Sequence, residues 1–503
     1  MNVLLVCSTS DIYSVDKPLS SPLQMQFGIS YISSILKKGG HKTRLAVLGR
    51  VLGRKNISMI DGIIKDFQPR LICFTSVSTQ LKFIKDIAGY IRRKYPEIFM
   101  LIGGPHVSLN HNDDIFGSFD AVCVGEGEYP TLELVRQLEA GSRPSKIQNL
   151  WIKKGSDIEK NPTRPFLDDL DSLPFPDRGM WEEWIRHSEK ADHSVLLGRG
   201  CPFNCTYCSN HALRKISAGA YVRLRSADNI VKEIESIAQR YANNIAQIYL
   251  EVETIGTNIE WAKDLCAKLE RFNKGMPEPI TFGVNLRVVP NPDFRELFDA
   301  FRRCNVQVLD IGLESGNEKI RRDVLRRNYS NDDVEKTVKA AREHGLKVHF
   351  YNLIGLPGEN PSLFKDTVEM NRRCRPDGHA TSIFFPYPGT DLYDTCLKMG
   401  VINKPIDAEV ERTRAVLSFP GFTRAQIQKS YILFDYYVYR GIKPMSKIIY
   451  NTIFERFIFS YVLSGQGLKY LYIRVKTPIS FLRRLVKKIG AAGGKERKVL
   501  VSK

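Results

Sequence analysis

No stretch of the 503-residue sequence reaches about 18 consecutive apolar residues, so no helix of membrane-spanning length is expected. The opening MNVLLVCSTSD lacks the basic segment and cleavage site of a secretory signal. A cytoplasmic, reducing setting is therefore expected, in which grouped cysteines bind metal more often than they form disulfides. Acidic residues are scarce: 55 Asp and Glu stand against 74 Lys and Arg, a net charge of +19. The shortage is local, since residues 469–503 carry eleven Lys or Arg and one acid, Glu496, a net +10. Basic charge alone marks a solvated face, so a nucleic-acid partner or a non-catalytic adaptor role is not expected from it. What is present is ordinary for a globular protein, with 43% hydrophobic residues and a length that suits two or three domains.

Ten cysteines are distributed unevenly. Cys7, Cys73 and Cys123 each lie in a short apolar run that reads as a buried strand, where a free thiol acts as a small hydrophobe. Cys266, Cys304, Cys374 and Cys396 fall in helical patterns, and no chemistry is assigned to them. The other three crowd into GRGCPFNCTYCSNH as Cys201, Cys205 and Cys208. Two readings of this stretch stay open. Zinc needs four ligands, and His211 would complete a Cys3His set. A [4Fe–4S] cluster held by three thiolates keeps one iron free to bind substrate or cofactor. Pro202 and Asn204 suit a tight loop around a metal, and SVLLGRG reads as the strand that delivers Cys201.

Before this cluster, apolar strands (residues 3–6, 44–48, 71–75, 100–102 and 121–124) alternate with amphipathic helices (27–38, 56–66, 81–94 and 129–139). The alternation predicts a doubly wound parallel α/β sheet over residues 1–140, with its ligand at the carboxyl ends of the strands. Small or polar residues sit there: 8–10, 76–78, GGPH at 103–106 and GEGE at 125–128. Residues 141–194 read as a linker, because prolines at 162, 165, 174 and 176 disfavour regular structure.

A strand followed by GGPH, and then by VGEGE, resembles the cobalamin-binding domain found fused to radical S-adenosylmethionine (radical SAM) enzymes. That resemblance implies a Rossmann-like cobalamin site involving Ser76, Gly103, Gly104, His106 and Gly125. No Asp-x-His-x-x-Gly motif occurs, so cobalamin is expected to bind without a protein histidine on cobalt. The spacing Cys-x3-Cys-x2-Cys is similar to the radical SAM motif, which implies that Cys201, Cys205 and Cys208 hold the cluster and that Tyr207 lies beside the adenine of SAM. The phrases that follow recur in the family's order. IYLEVETIGTN carries Glu253, with Val252 where an acid is usual; TFGVNLRVV carries Asn285 and Arg287; VLDIGLESGNEKIRRDVLRRNYS carries Glu314 and Ser315, where contacts to SAM fall; HFYNLIGLPGEN and FFPYPGTDLYD complete the set. They imply a partial (βα)6, TIM-like radical SAM core over residues 195–400.

The resemblance implies a 5′-deoxyadenosyl radical, an external flavodoxin- or ferredoxin-like electron donor, and methylation of an unactivated carbon in a natural-product or lipid-like substrate. The alternatives are a non-methylating rearrangement, cyclisation or carbon–carbon coupling with the same cofactors, and a tRNA-modifying methylthiotransferase, a class with a second cluster on three loop cysteines, whereas Cys7, Cys73 and Cys123 here lie in apparent strands whose ends would have to converge. Residues 401–490 read as a helical C-terminal domain, a cap on the open side of the barrel, with Ile449, Ile453, Phe457 and Tyr461 spaced at four. Leu482, Leu485, Val486 and Ile489 share one face of a basic amphipathic segment of the kind that rests on an anionic membrane. Residues 491–503 read as a flexible basic tail.

Overall fold

In the computed structural model, which describes residues 1–458 apart from 11, 111–112, 243, 403–405 and 407–410, a mostly parallel sheet and a wholly parallel one follow each other along the chain. The amphipathic segment at 482–489, Tyr461 and the final tail lie outside the described residues.

The first sheet contains β1 (Asn2–Ser8), β2 (Lys42–Leu48), β3 (Leu71–Thr75), β4 (Phe99–Gly103), β5 (Ala121–Cys123), β6 (Leu150–Lys154) and β7 (Asp157–Lys160), in the order β2-β1-β3-β4-β5-β6-β7. Val3, Leu4, Leu5 and Val6 are wholly buried because helices cover both faces, which is why this strand reads as a continuous apolar run. The first five strands are parallel and doubly wound as expected. The sheet does not stop near residue 140, however. β6 and β7 add antiparallel strands from the segment read as a linker. They form a two-residue hairpin through Gly155, at φ 66°, and Ser156, a turn signal that the surrounding prolines obscured.

The second sheet is built from β8 (Ala191–Leu196), β11 (Ile245–Glu251), β12 (Phe282–Leu286), β13 (Val306–Glu314), β14 (Lys347–Ile354) and β15 (Gly378–Ile383), all parallel, in the order β15-β14-β13-β12-β11-β8. It is the open six-stranded barrel that the sequence predicts. Between β8 and β11 a small antiparallel pair, β9 (Gly198–Arg199) and β10 (Arg223–Leu224), frames the cysteine loop. Ser226 caps the following helix by accepting from the Asn229 amide at 3.1 Å.

The proline-rich stretch between the sheets is docked at both ends. Ser30, Ser33 and Ser34 lie on one face of the helix Phe27–Lys38. There Trp181 Nε1 donates to Ser30 Oγ, Ser33 Oγ donates to Asp177 and Ser34 Oγ donates to the Phe175 carbonyl. The next residue, Arg178, turns the other way. Its guanidinium meets Glu233 at 2.5 Å, and Arg225 meets the other oxygen of the same carboxylate at 2.5 Å. Glu233 has no exposed side-chain surface and Arg225 has 2%.

The C-terminal helices Arg424–Ile432 and Phe434–Tyr439 pack beside β15 and the helix Pro361–Cys374. Arg372 donates to the carbonyls of Tyr437, Val438 and Arg440. The expected cap is therefore seated, but the stripe chosen for its packing face is not. Ile449, Ile453 and Phe457 are exposed, while Ile448 is buried.

Removing one partner of a buried ion group leaves uncompensated charge and costs about 3–5 kcal/mol, whereas exposed pairs contribute at most about 1 kcal/mol. Glu233→Ala, which strands two guanidiniums, should therefore lower the denaturation midpoint sharply. Glu182→Ala, which removes the half-exposed partner of Arg240, should leave it nearly unchanged. Equal effects in urea titrations would show that the buried group has no special weight.

Candidate active site

The cysteine loop leaves β9 through Gly200, whose φ is 85° and whose absent Cβ would stand 2.1 Å from the Tyr221 carbonyl oxygen. Only glycine fits this crossing. Cys205 is buried, Cys201 and Cys208 are half-buried, and Cys208 opens the short helix Ser209–Leu213. Burial raises the Cys201 thiol and pushes Cys208 up to about 11, with Glu253 adding to both. A cation from another strand reaches this loop. Arg287, at the end of β12, donates to Cys205 Sγ at 2.7 Å and lies with its guanidinium 3.9 Å from the Phe203 ring centre. Arg287 is thus a brace for the cysteine loop, a role the sequence did not suggest.

His211 does not join the thiols: its Nε2 pairs with Asp391 at 3.1 Å. Among the described residues no three His, Cys, Asp or Glu side chains converge tightly enough to hold one ion. A zinc set is therefore not assembled. Three thiols spread along one loop fit a cubane, in which each thiolate takes a different iron.

Tyr207 and Glu314 meet at Arg327. Arg327 Nη2 donates to the Tyr207 hydroxyl at 2.9 Å and to Glu314 Oε1 at 3.0 Å, and its Nη1 donates to the Gly312 carbonyl. Burial raises the Tyr207 phenol well above its ordinary value. Glu314 holds φ at 59°, an uncommon conformation for a side-chain-bearing residue, at the point where β13 ends. Its neighbour Ser315 is wholly buried and accepts from the Asn317 amide, so it braces the turn and does not face the chamber. Glu253 is exposed just beyond β11, facing the thiols electrostatically.

Below this level the barrel interior carries a polar layer that the sequence reading missed. Asp310 accepts from the hydroxyls of Tyr249 at 2.6 Å and Tyr351 at 3.0 Å, and pairs with His349 Nδ1 at 3.0 Å. The Tyr249 hydroxyl also lies 2.9 Å from the Asn285 side-chain amide, which places Asn285 in this layer. The signal was alternation: in β11 Ile248 and Leu250 are buried in the core, which turns Tyr249 and Glu251 inward. Burial, with Glu253 and Asp310 adding like charge, pushes the Glu251 carboxyl up to about 7.

On the first sheet, the ends of β3, β4 and β5 surround a pocket of about 200 Å³ lined by Phe27, Phe74, Cys123, Gly103, Gly104 and Gly125 among others. Gly104 has φ 108°, and a Cβ there would stand 2.6 Å from the Ser76 carbonyl. Apolar walls and bare backbone fit a flat apolar group such as the base of cobalamin. Ser76 itself is buried, with its hydroxyl donating to the Val77 carbonyl. His106 shares a 2.8 Å hydrogen bond with Ser78 through Nδ1, and burial lowers its pKa, so the imidazole is neutral at pH 7.

A larger chamber of about 420 Å³ lies where the two sheets face each other. Val77, Ser78 and His106 form its wall from the first sheet, and Tyr207 and Cys208 its wall from the cysteine loop. Glu314, Tyr351, Leu353 and Ser382 come from the barrel, with Phe385, Tyr387, Glu411 and Arg412 completing the rim. Asn110 closes a seam by donating to the Pro388 carbonyl at 3.1 Å.

The B12 binding domain family model matches residues 24–135, and the Radical SAM superfamily model matches residues 195–370. An uncharacterised methyltransferase of Pyrococcus horikoshii is 24% identical over 94% of this chain and 99% of its own length. The anaerobic magnesium-protoporphyrin IX monomethyl ester cyclase of Cereibacter sphaeroides is 22% identical over 73% of this chain and 59% of its own. The radical SAM methyltransferase TsrM of Kitasatospora setae, solved with cobalamin and a [4Fe–4S] cluster, shares the fold with a TM-score of 0.67 at 15% identity, covering 97% and 99% of the two chains. The methylthiotransferase alternative wanted a second cluster on Cys7, Cys73 and Cys123. All three thiols are buried and raised by that burial, and the last two lie within the residues matched by the B12 binding model.

The Glu251 carboxyl titrates near 7 when folded and near 4.5 when free, so folding binds its proton more tightly. The stability this gives is complete below about pH 4.5 and is lost as pH rises through about 7. Glu251→Gln should match the wild type at about pH 4 and exceed it by up to about 3 kcal/mol at about pH 8. Parallel denaturation curves with no pH-dependent gap would show that Glu251 ionises normally.

Proposed function

This chain is a cobalamin-dependent radical SAM enzyme, and from that premise we propose that it transfers a methyl group to an unactivated carbon of a small-molecule substrate. The observation that carries this reading is the shared chamber: residues from the cobalamin side and from the cysteine loop line one space. A substrate held there would lie between the two. When bound, the cluster with SAM supplies a carbon-centred radical, and cobalamin supplies a transferable methyl group.

The chain's own residues bind, orient and exclude water. Cys201, Cys205 and Cys208 would hold the cluster, with Arg287 placing a fixed positive charge beside Cys205. Arg327 fixes Tyr207 and Glu314 against each other, so both side chains keep one orientation at the chamber wall. Leu353, Phe384 and Phe385 exclude water from the space where a radical would meet its target. Ser382, Asn110 and Tyr351 offer hydrogen bonds, a mixed lining suited to a substrate with both polar and apolar parts. Two relatives named as methyltransferases, the Pyrococcus protein and TsrM, support the assignment. The cyclase of Cereibacter supports a second reading, in which the same chamber serves ring formation without methyl transfer.

The purified, anaerobically reconstituted enzyme should contain about four iron and four sulfide per chain. Alanine at Cys201, Cys205 or Cys208 should abolish both the cluster and SAM cleavage. Gly104→Val should lose corrinoid absorbance while keeping its iron. His106→Ala should leave the spectrum of a base-off corrinoid unchanged. Methylated product with S-adenosylhomocysteine supports the transferase; 5′-deoxyadenosine alone with a dehydrogenated or cyclised product refutes it. Failure to bind any corrinoid would refute both.

A further inference from the structure

The helix Met445–Tyr450 runs directly into the π-helical turns Asn451–Ile458. Its inner side is fully engaged. Ile448 is 2% exposed, Arg456 pairs with Asp435 at 2.9 Å and donates to the Tyr431 carbonyl, and Asn451 donates to Asp435. The outer side carries Met445, Ile449, Tyr450, Ile453, Phe454 and Phe457, each between 42 and 51% exposed. The wide i→i+5 turn keeps residues four apart close to one line, so these side chains form a continuous stripe. The Tyr450 and Phe454 rings stack with centroids 5.1 Å apart. Among the described residues, the barrel-facing side of this segment already has its partners.

The charge along residues 440–457 is mainly positive: Arg440, Lys443, Lys447 and Arg456 stand against one acid, Glu455. Exposed Arg440 and Lys447 precede and enter the helix, and the sequence beyond it, residues 469–503, carries a net +10. An aromatic apolar face followed in sequence by scarce acid and abundant Lys and Arg is complementary to a surface that is apolar beneath and negative above. A second copy of this chain would bring one +19 molecule against another, which repulsion disfavours.

We propose that the outer face of residues 445–457 docks the enzyme on an anionic phospholipid surface, the aromatic side chains entering the headgroup layer and the basic sequence beyond them supplying long-range attraction. Docking of this kind holds the chamber near a bilayer without any spanning helix; none of the described helices is long and apolar enough to cross one.

The full-length protein is to be sedimented with vesicles of phosphatidylcholine alone and of phosphatidylcholine mixed with phosphatidylglycerol, at low and high salt. Wild type should bind the anionic vesicles and weaken by about tenfold or more at high salt or on phosphatidylcholine alone. The double variant Ile449→Asp/Phe454→Asp should bind at least about tenfold more weakly at every salt concentration, with iron content and thermal midpoint unchanged. Neutralising the basic sequence with Arg483→Gln, Arg484→Gln, Lys487→Gln and Lys488→Gln should reduce the salt dependence. Because Asp substitutions can disturb a fold, Tyr450→Trp provides a second reading: its emission should shift to the blue on anionic vesicles. Wild-type affinity in the double variant, or binding without that shift, overturns the proposal. So does a wild-type dimer that the double variant converts to monomer, which would assign the face to a second copy. Binding is read without substrate or turnover, so this outcome is independent of the methyl-transfer reading.

Discussion

Arg199 joins the two halves of this enzyme. It stands two residues before the first cysteine, nearly buried, donating to Glu126 at 2.8 Å and to Glu128 at 2.5 Å, with its guanidinium also over the Tyr31 ring. Arg223 from the neighbouring strand shares Glu126, and the Leu167 amide donates to the same carboxylate. Burial works against the ionised form of Glu126, and the two guanidiniums overcome it, holding the carboxyl below its ordinary range. Charge groups so placed are weak stabilisers relative to apolar packing, because desolvation offsets much of the attraction. What they impose is registry. The loop that ends β5 meets the β9–β10 pair so that arginines from these two strands satisfy both carboxylates. That approach places the cysteines opposite the cobalamin side of the chamber.

The connector repeats the same logic at a second point. Asp177 binds the first domain through Ser33 and Lys37, while Arg178 binds the barrel through Glu233. Two adjacent residues of opposite charge therefore pull on two different bodies. A segment whose prolines bar it from helix or central strand becomes a rivet between domains.

The parts of this arrangement that were legible in the sequence are those set by local pattern. Continuous apolar runs gave β1 and β3 because burial on both faces demands them, and the spacing of Cys201, Cys205 and Cys208 is a property of one loop. Glu314 and His106 reach the chamber because they stand at strand ends, where topology directs side chains outward, and Tyr207 because it belongs to the cysteine loop. What was not legible depends on distant partners. The glutamates of GEGE follow glycines suited to a close ligand approach, yet their carboxylates answer arginines more than seventy residues away in sequence. Arg287 looked like a ligand contact because it ends a strand, but its reach to Cys205 depends on how the loop from β9 folds back. Ser315 and Ser76 share that position and turn inward, since each hydroxyl already serves a neighbouring backbone group.

The chamber draws its walls from stretches far apart in the chain, from Val77 to Arg412. Translation therefore delivers them in a fixed sequence. The first sheet, complete once β7 emerges, can form while the barrel is still being made. The cysteine loop then appears beside carboxylates already in place to receive Arg199. The rim residues Phe385, Tyr387 and Arg412 arrive last, after all three thiols have left the ribosome. The chamber is therefore complete only when the last of its walls has been made.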